Sequence, residues 1–158
     1  MAFTIPILPE LDNPLLGFRF GVFIFGSTGI SHPLDFRFQS VSGLSVNVEL
    51  SGGGSEGTNA SKRALPERLK YENLTLKRGL PLFSTLRMEV HKSLSQFKFS
   101  PRNVLVSILD ENALPLSSWM FSEAFPVKWS LSELNADSND IIVEELELKY
   151  KNFKPMML

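Results

Sequence analysis

The sequence predicts a mostly antiparallel β domain that carries one helix near its middle. Two observations support this fold class. Apolar and polar residues alternate with a period of two through most of the chain, as they do in half-buried strands. One segment, LPLFSTLRMEVHKSL, instead repeats apolar residues every four positions from Leu82 to Leu94, which is the spacing of an amphipathic helix. The length of 158 residues fits a single domain, 1–158.

The predicted strands follow one another along the chain. FRFGVFIF places Phe18, Phe20, Val22 and Ile24 on one face. DFRFQSVSGLSVNVEL predicts one long strand with a bend or bulge at Gly43. Pro126 predicts a bulge or an edge position in a later strand. The other strands are predicted in LTLKRG, in NVLVSIL before a turn at Asp110–Asn112, in SSWMFSEAFPVKWS, and in IIVEELELKYKNF.

The helix is predicted over residues 81–95, with Pro81 in its first turn, where proline is tolerated. Phe83 and Leu86 contribute to its apolar stripe. The proline-rich residues 1–16 and the tail 151–158 are predicted as extensions beyond the packed body.

A long polar segment, SGGGSEGTNASKR, interrupts the strands. It contains no large apolar residue and cannot contribute to a core, so the sequence predicts a flexible loop over residues 51–64. Its defining residues are Ser51, Gly52, Gly53, Gly54, Ser55, Glu56, Gly57, Thr58, Asn59, Lys62 and Arg63.

The composition excludes several classes of function. Sixteen basic and seventeen acidic residues give a net charge of −1, which argues against specific nucleic-acid binding. The chain has no cysteine, so it has no disulfides, thiolate nucleophile or zinc–thiolate site. The first residues lack the basic start of a signal peptide, and no apolar run is long enough for a membrane anchor. We therefore expect synthesis in the bacterial cytoplasm.

Sequence motifs for catalysis are weak. Gly53–Gly57 matches the G-x-S-x-G pattern of serine hydrolases, with Ser55 as nucleophile and His91 as the one available base, but no helical stripe follows it directly. The same glycines lack the Lys-Ser/Thr of a phosphate loop. The two histidines lie far apart in the sequence and predict no metal site. We expect no enzyme activity and no cofactor.

Five stretches, taken in order, carry a resemblance. FQSVSGLSVNVEL, LTLKRG, NVLVSILDE, WMFSEAFPVKW and LNADSNDIIVEELELKY together resemble the inner tail-tube proteins of contractile phage tails and contractile injection systems. The similarity extends from about Phe18 to Tyr150. It implies a β-sandwich or half-barrel flanked by one helix. It also implies that six subunits form a ring around a channel and that the rings stack inside a sheath.

The resemblance gives the polar segments a role. The loop at residues 51–64 would be an arm that reaches neighbouring subunits, and the polar strand faces would line the channel. The candidate channel-facing residues are Ser45, Asn47, Glu49, Thr75, Lys77, Glu145, Glu147 and Lys149. The implied partners are further copies of the chain in a homo-hexamer, together with sheath, baseplate and spike-hub proteins.

Three alternatives remain at the level of sequence. The extra residues at 1–16 and 26–34 are consistent with an initiator ring that joins the spike hub to the main tube. A monomeric β-sandwich that binds a small ligand through the glycine-rich loop belongs to another class. The third alternative is the hydrolase that would use Ser55 and His91.

Overall fold

The protein is described here from a computed structural model, over residues 15–27, 29–51 and 65–156. Antiparallel strands dominate the fold, and within these ranges they are joined by one helix. The elements are β1 (Phe20–Gly26), β2 (Gly29–Ser31), β3 (Ser40–Ser42), β4 (Val46–Ser51), β5 (Leu65–Tyr71), β6 (Leu74–Gly79), α1 (Thr85–Gln96), β7 (Arg102–Leu109), β8 (Pro115–Leu131), β9 (Val143–Lys149) and β10 (Asn152–Met156).

Eight strands form one sheet with the order β2-β1-β7-β8-β9-β6-β3, and β10 pairs with β8. Strand β8 is 17 residues long and belongs to two halves of this sheet. Its first half pairs with β7 and β10, and its second half, from Phe125 to Leu131, pairs with β9. The register shifts between Pro126 and Lys128, which confirms the predicted bulge. We call β3, β6, β9 and Phe125–Leu131 the polar sheet.

One apolar cluster holds the two halves of the sheet together. It draws Val22 and Ile24 from β1, Val104 and Val106 from β7, and four leucines from the polar sheet. Strands that are far apart in the sheet order thus share one core, so the sheet folds over into two packed layers. The predicted sandwich or half-barrel with one flanking helix is confirmed. The four leucines are Leu74, Leu76, Leu146 and Leu148.

Helix α1 begins at Thr85, four residues later than predicted. Ser84 is its N-cap, because its hydroxyl accepts a hydrogen bond from the Arg87 amide at 3.1 Å. Pro81 therefore precedes the helix instead of lying in its first turn, and Leu82 and Phe83 are not part of the apolar stripe. Leu86 and Val90 do face the core.

The predicted bend at Gly43 is present, but the prediction of one long strand is wrong, because β3 and β4 are separate strands that pair with β6 and β5 respectively. The φ of Gly43, +92°, lies in a region that side chains rarely adopt, and an added Cβ would lie 1.9 Å from the Asn73 carbonyl oxygen. The chain turns here, and β4 and β5 leave the main sheet as a separate antiparallel ribbon. We call this pair of strands the ribbon.

The predicted C-terminal extension is wrong for residues 152–156. These residues form β10, which pairs with β8 from Ser118 to Ser122. The physical reason is aromatic packing, since the Phe153 ring lies 5.2 Å from that of Phe121 and 5.5 Å from that of Tyr71. The predicted N-terminal extension lies outside the described residues up to position 14, and Leu15 and Leu16 are exposed.

Over the described ranges, we find no helix with the length and apolar character needed to cross a membrane.

Candidate functional site

The polar sheet has one apolar and one charged face. In the pairing of β6 with β9, Lys77 lies opposite Glu145 and Thr75 lies opposite Glu147. On the other side of β9, Ser130 lies opposite Glu145. These side chains alternate with the buried leucines, so they point away from the core.

Ion pairs and hydrogen bonds connect the charged face. Glu145 lies between two lysines, with its carboxylate 3.4 Å from the Lys77 ammonium and 3.8 Å from the Lys128 ammonium. Glu147 accepts a hydrogen bond from the Asn73 amide at 2.7 Å. The positive charges of the lysines and the negative charges of the glutamates nearly cancel, so the face is polar with little net charge.

The structure brings together only some of the residues that we predicted to face the channel. Thr75, Lys77, Glu145 and Glu147 lie on one face, and Lys149 continues that face beside Phe125. The other three lie elsewhere, either on the ribbon or at its base, because the chain turns at Gly43. These three are Ser45, Asn47 and Glu49.

Two edges of the polar sheet lack a strand partner among the described residues. β3 pairs only with β6, and the second half of β8 pairs only with β9. Strand directions alternate across these four strands, so β3 and the second half of β8 run in opposite directions. Unpaired edges of this kind are sites where a further strand can add.

A buried charge network lies behind the polar sheet, on the face that the helix covers. Arg78 on β6 donates to Asp35 at 2.7 Å, to Glu144 at 2.9 Å and to the Ser84 hydroxyl at 2.7 Å. Glu144 also accepts a hydrogen bond from the Trp129 indole at 2.8 Å. The network therefore fixes the start of α1 against β6 and β9.

Asp35 is the second cap of the helix. Its carboxylate accepts hydrogen bonds from the Leu86 amide and the Thr85 hydroxyl, both at 3.1 Å, as well as from Arg78 and Ser84. Burial alone would raise the pKa of Asp35, but these hydrogen bonds and the Arg78 charge outweigh it, so the pKa lies below its ordinary value. Asp35 is therefore charged in the folded protein near neutral pH.

The ribbon has one apolar face that is exposed to solvent. Val46, Val48 and Leu50 occupy alternate positions of β4, so their side chains lie on one face. Leu69 of β5 pairs with Val48. The exposed fractions of these four side chains range from 45% for Val46 to 57% for Leu50. The opposite face is polar, and there Glu49 forms ion pairs with Arg68 and Lys70. An isolated two-stranded ribbon is only marginally stable in water. Contact with a further apolar surface would therefore stabilise it.

A second bare apolar region lies at the far end of the polar sheet. Leu82 is fully exposed and Phe83 is 71% exposed, because both precede the helix instead of packing under it. Neighbouring large apolar side chains are similarly bare. We call the whole group the far rim; it comprises Leu34, Leu82, Phe83, Leu134 and Ile141.

The remaining predictions fall on other parts of the chain. Ser51 ends β4, and its hydroxyl bonds to the Leu65 carbonyl. The rest of the predicted arm, residues 52–64, lies outside the described residues, as does Ser55 of the hydrolase alternative. The His91 ring packs edge-on against the Trp129 ring at 4.3 Å, in an exposed position on the helix.

Comparison with known proteins identifies the family. The model of the T4-like virus tail tube protein gp19 family matches residues 16–154. The chain belongs to this tail tube family. The resemblance drawn from the five sequence stretches is thereby confirmed, and the chain is a structural subunit of a tube. The monomeric ligand-binding module is not favoured. None of the curated proteins gives a match.

Solved structures agree with the family. A chain in the cryo-EM structure of the anti-feeding prophage (AFP) baseplate, 6-fold symmetrised, is 32% identical with a TM-score of 0.79, over 92% of this chain and 97% of that one. A chain in the extended sheath–tube complex of PVC, an extracellular contractile injection system, is 22% identical with a TM-score of 0.74, over 98% and 99%. A chain in the AFP tube-terminating cap is 21% identical with a TM-score of 0.74, over 98% and 100%. The last two matches, at 22% and 21% identity, show only that the fold is shared.

Proposed function

We propose that six copies of this tail tube protein close into a ring and that the polar sheet lines its channel. The observation that carries this proposal is the pair of unpaired edges on the polar sheet. Four strands of alternating direction end in antiparallel edges, so β3 of one copy can pair with β8 of the next without breaking the alternation. Closure of the ring leaves no free edge on the polar sheet.

The charged face suits a channel wall. Lys77, Lys128 and Glu145 hold one another in ion pairs on the side opposite the helix, while Leu76 and Leu146 pack under the helix. In a ring whose helices lie outside, the charged face turns inward. A wall of paired charges stays hydrated and carries little net field, so it lets polar cargo pass without strong binding.

The loop at residues 51–64 extends this scheme as an arm between subunits. In the chain it connects β4 to β5, the two strands of the ribbon, whose apolar face is exposed. Sheath, baseplate and spike-hub proteins are the partners that such a tube requires. The role is passive and non-enzymatic: the assembled tube transmits axial force and encloses a channel.

Electron microscopy and cysteine labelling test this function. The natural chain has no cysteine, so Thr75→Cys marks the charged face and Lys92→Cys marks the exposed side of the helix as a matched control. In assembled tubes we expect a bulky poly(ethylene glycol) maleimide to label Lys92→Cys but not Thr75→Cys, and to label both after dissociation. Equal labelling of both variants in intact tubes would refute the channel assignment, and a strict monomer under all assembly conditions would refute the tube.

A second candidate is the initiator ring, next to the baseplate. One observation favours it: the identity to the AFP baseplate chain is 32%, against 21% for the chain in the AFP cap. The two AFP chains therefore differ in sequence, and this protein is more similar to the one found in the baseplate structure. Quantitative mass spectrometry of the natural particle separates the two roles. An initiator is present in copies for one or a few rings, whereas a main tube protein matches the sheath in copy number.

A further inference from the structure

The apolar core is open at one end. A groove of about 310 Å³ lies there, between the half of the sheet that contains β1, β7 and β8 and the polar sheet. Val41 and Trp119 pack against the core but are only partly buried, and Leu44 is 36% exposed. Apolar side chains of the core therefore remain in contact with solvent at this end. The walls of the groove are formed by Phe20, Ile108 and Trp119 on one side and by Val41 and Leu44 on the other.

The lining of the groove favours an apolar occupant. None of the side chains that line it carries a charge, and its polar side chains are Gln39 and Ser40. A charged ligand would lose its hydration here without gaining an ion pair, which is unfavourable. Gly17 also lines the groove, so the chain reaches the groove near the first described residues. The residues that precede Leu15 are therefore attached close to it.

The residues that precede Leu15 have a matching composition. Their sequence is MAFTIPILPELDNP, and it contains no charged side chain before Glu10. The run from position 3 to position 8 is the most apolar part, and its large apolar residues are Phe3, Ile5, Ile7 and Leu8. This run therefore has the chemistry that the groove favours.

The prolines of this segment also suit docking. Pro6 and Pro9 restrict the backbone, so less conformational entropy is lost when the segment becomes ordered. The Asn13–Pro14 pair favours a turn, which would direct the apolar run back along the body of the subunit. The run spans about 20 Å when extended, which is the length of a typical strand.

We propose that the segment Phe3–Leu8 occupies the groove of its own subunit and completes the core. Burial of its apolar side chains against Phe20, Val41 and Trp119 supplies the driving force. The short link to Gly17 makes the docking intramolecular, so the effective concentration of the segment is high. This inference goes beyond the proposed tube function, because it applies to a single unassembled subunit.

Tryptophan fluorescence tests the docking, because Trp119 lines the groove and the chain has only two tryptophans. In a Trp129→Phe background, Trp119 is the one remaining tryptophan. Ile5→Asp with Ile7→Asp makes the segment polar and should keep it out of the groove. We expect the emission of Trp119 in the unassembled protein to shift to longer wavelength, and acrylamide to quench it more strongly, than in the background protein.

The matched control is Glu10→Gln with Asp12→Asn, which changes the same segment outside its apolar run. This control should have the emission and quenching of the background protein. An equal change in the control would overturn the inference. So would unchanged fluorescence in the Ile5→Asp, Ile7→Asp protein, which is also the result expected if a small apolar molecule fills the groove.

Dilution identifies the chain that supplies the segment. Docking within one subunit does not depend on protein concentration, so we expect the emission of Trp119 in the background protein to stay constant on dilution. A shift to longer wavelength on dilution would assign the segment to a second copy and overturn the inference.

A groove variant provides a second measurement. Leu44→Asp places a carboxylate in the groove, and circular dichroism verifies that the protein is folded. We expect the losses of stability in urea caused by Leu44→Asp and by Ile5→Asp with Ile7→Asp to be less than additive when combined, because both disrupt the same contact. Full additivity would overturn the inference. Neither measurement requires assembly, so an absence of tubes would overturn the proposed function and leave this inference intact.

Discussion

The guanidinium of Arg78 donates to the carboxylate of Asp35 across 2.7 Å, and the two side chains are 10% and 7% exposed. Arg78 belongs to the polar sheet and Asp35 caps the helix, so this ion pair joins the sheet to the helix. Glu144 shares the same guanidinium. Removal of one member leaves the others as buried, poorly compensated charges, which is costly.

Replacement of Asp35 tests how much this ion pair contributes to stability. We expect Asp35→Asn to lower the free energy of unfolding at neutral pH by about 3 kcal/mol, because Arg78 and the helix start lose a charged acceptor. Urea unfolding followed by circular dichroism measures it. Asp137→Asn, at an exposed turn, is the control and should change stability little. Equal stability of the two variants would show that the network does not hold the helix.

Acid stability follows from the same carboxylate. The pKa of Asp35 is lowered in the folded protein, so its contribution is fully present above the unfolded pKa of about 4 and is lost as the pH falls through the folded pKa. We expect the natural protein to lose stability on acidification with a steeper slope than Asp35→Asn does. Urea midpoints measured between neutral and strongly acidic pH give both slopes. Parallel slopes would contradict the prediction.

Alkaline stability depends on Tyr150. Burial, followed by the nearby Tyr71 and Glu72, raises the pKa of the Tyr150 phenol from 10.0 to about 12. A raised folded pKa means that this contribution is complete below pH 10 and declines as the pH rises from there towards 12. Tyr150→Phe should remove this decline. It should cost little at neutral pH, since the hydroxyl makes one long bond, 3.4 Å to the Gly43 carbonyl. Unfolding midpoints of the natural protein and of Tyr150→Phe, measured across this pH range, test the prediction.

Gly43→Ala tests the bend at the base of the ribbon. The new methyl group would meet the Asn73 carbonyl at 1.9 Å on a backbone with positive φ, so we expect a loss of about 3 kcal/mol or more. Gly17→Ala is the matched control, because no atom of the described residues lies within 4 Å of an added Cβ there. Thermal unfolding of both variants measures the difference. A Gly43→Ala protein that is as stable as the Gly17→Ala control would show that the backbone can adopt another conformation at this position.

Deletion of Gly52–Ser61 tests the proposed arm. The deleted residues supply no large apolar side chain, so the monomer should keep its circular dichroism spectrum and its unfolding midpoint. Tubes should be absent by electron microscopy. A glycine–serine segment of equal length, in place of the same residues, separates the effect of length from that of sequence. Normal tubes from the shortened chain would contradict a role for this segment in assembly.

Local patterns were sufficient to predict most of the strands, although β2, β5 and β10 were not predicted. In β6 and β9, the alternation of leucine with charged residues gave the correct faces, because each strand contacts the core on one side only. The bend at Gly43 and the bulge near Pro126 were also predicted, since glycine permits a positive φ and proline has no backbone N–H to donate. These features depend on residues within a few positions of one another.

The buried network and the start of the helix could not be predicted in this way. Arg78 and Glu144 occupy inward positions among leucines, and they are 66 residues apart in sequence. The spacing of Leu82 with Leu86 favoured an earlier helix start, but the cap at Ser84 is fixed partly by Asp35, 49 residues away. Such long-range partners override a local apolar period, which is why the sequence pattern wrongly places Leu82 and Phe83 on the apolar stripe of the helix.

Arg78 holds Asp35 and Glu144 at once, so the helix and the strands β6 and β9 behave as one rigid body. A mechanical load applied to the surface of the helix is therefore transmitted to those strands without first being absorbed by rearrangement inside the subunit.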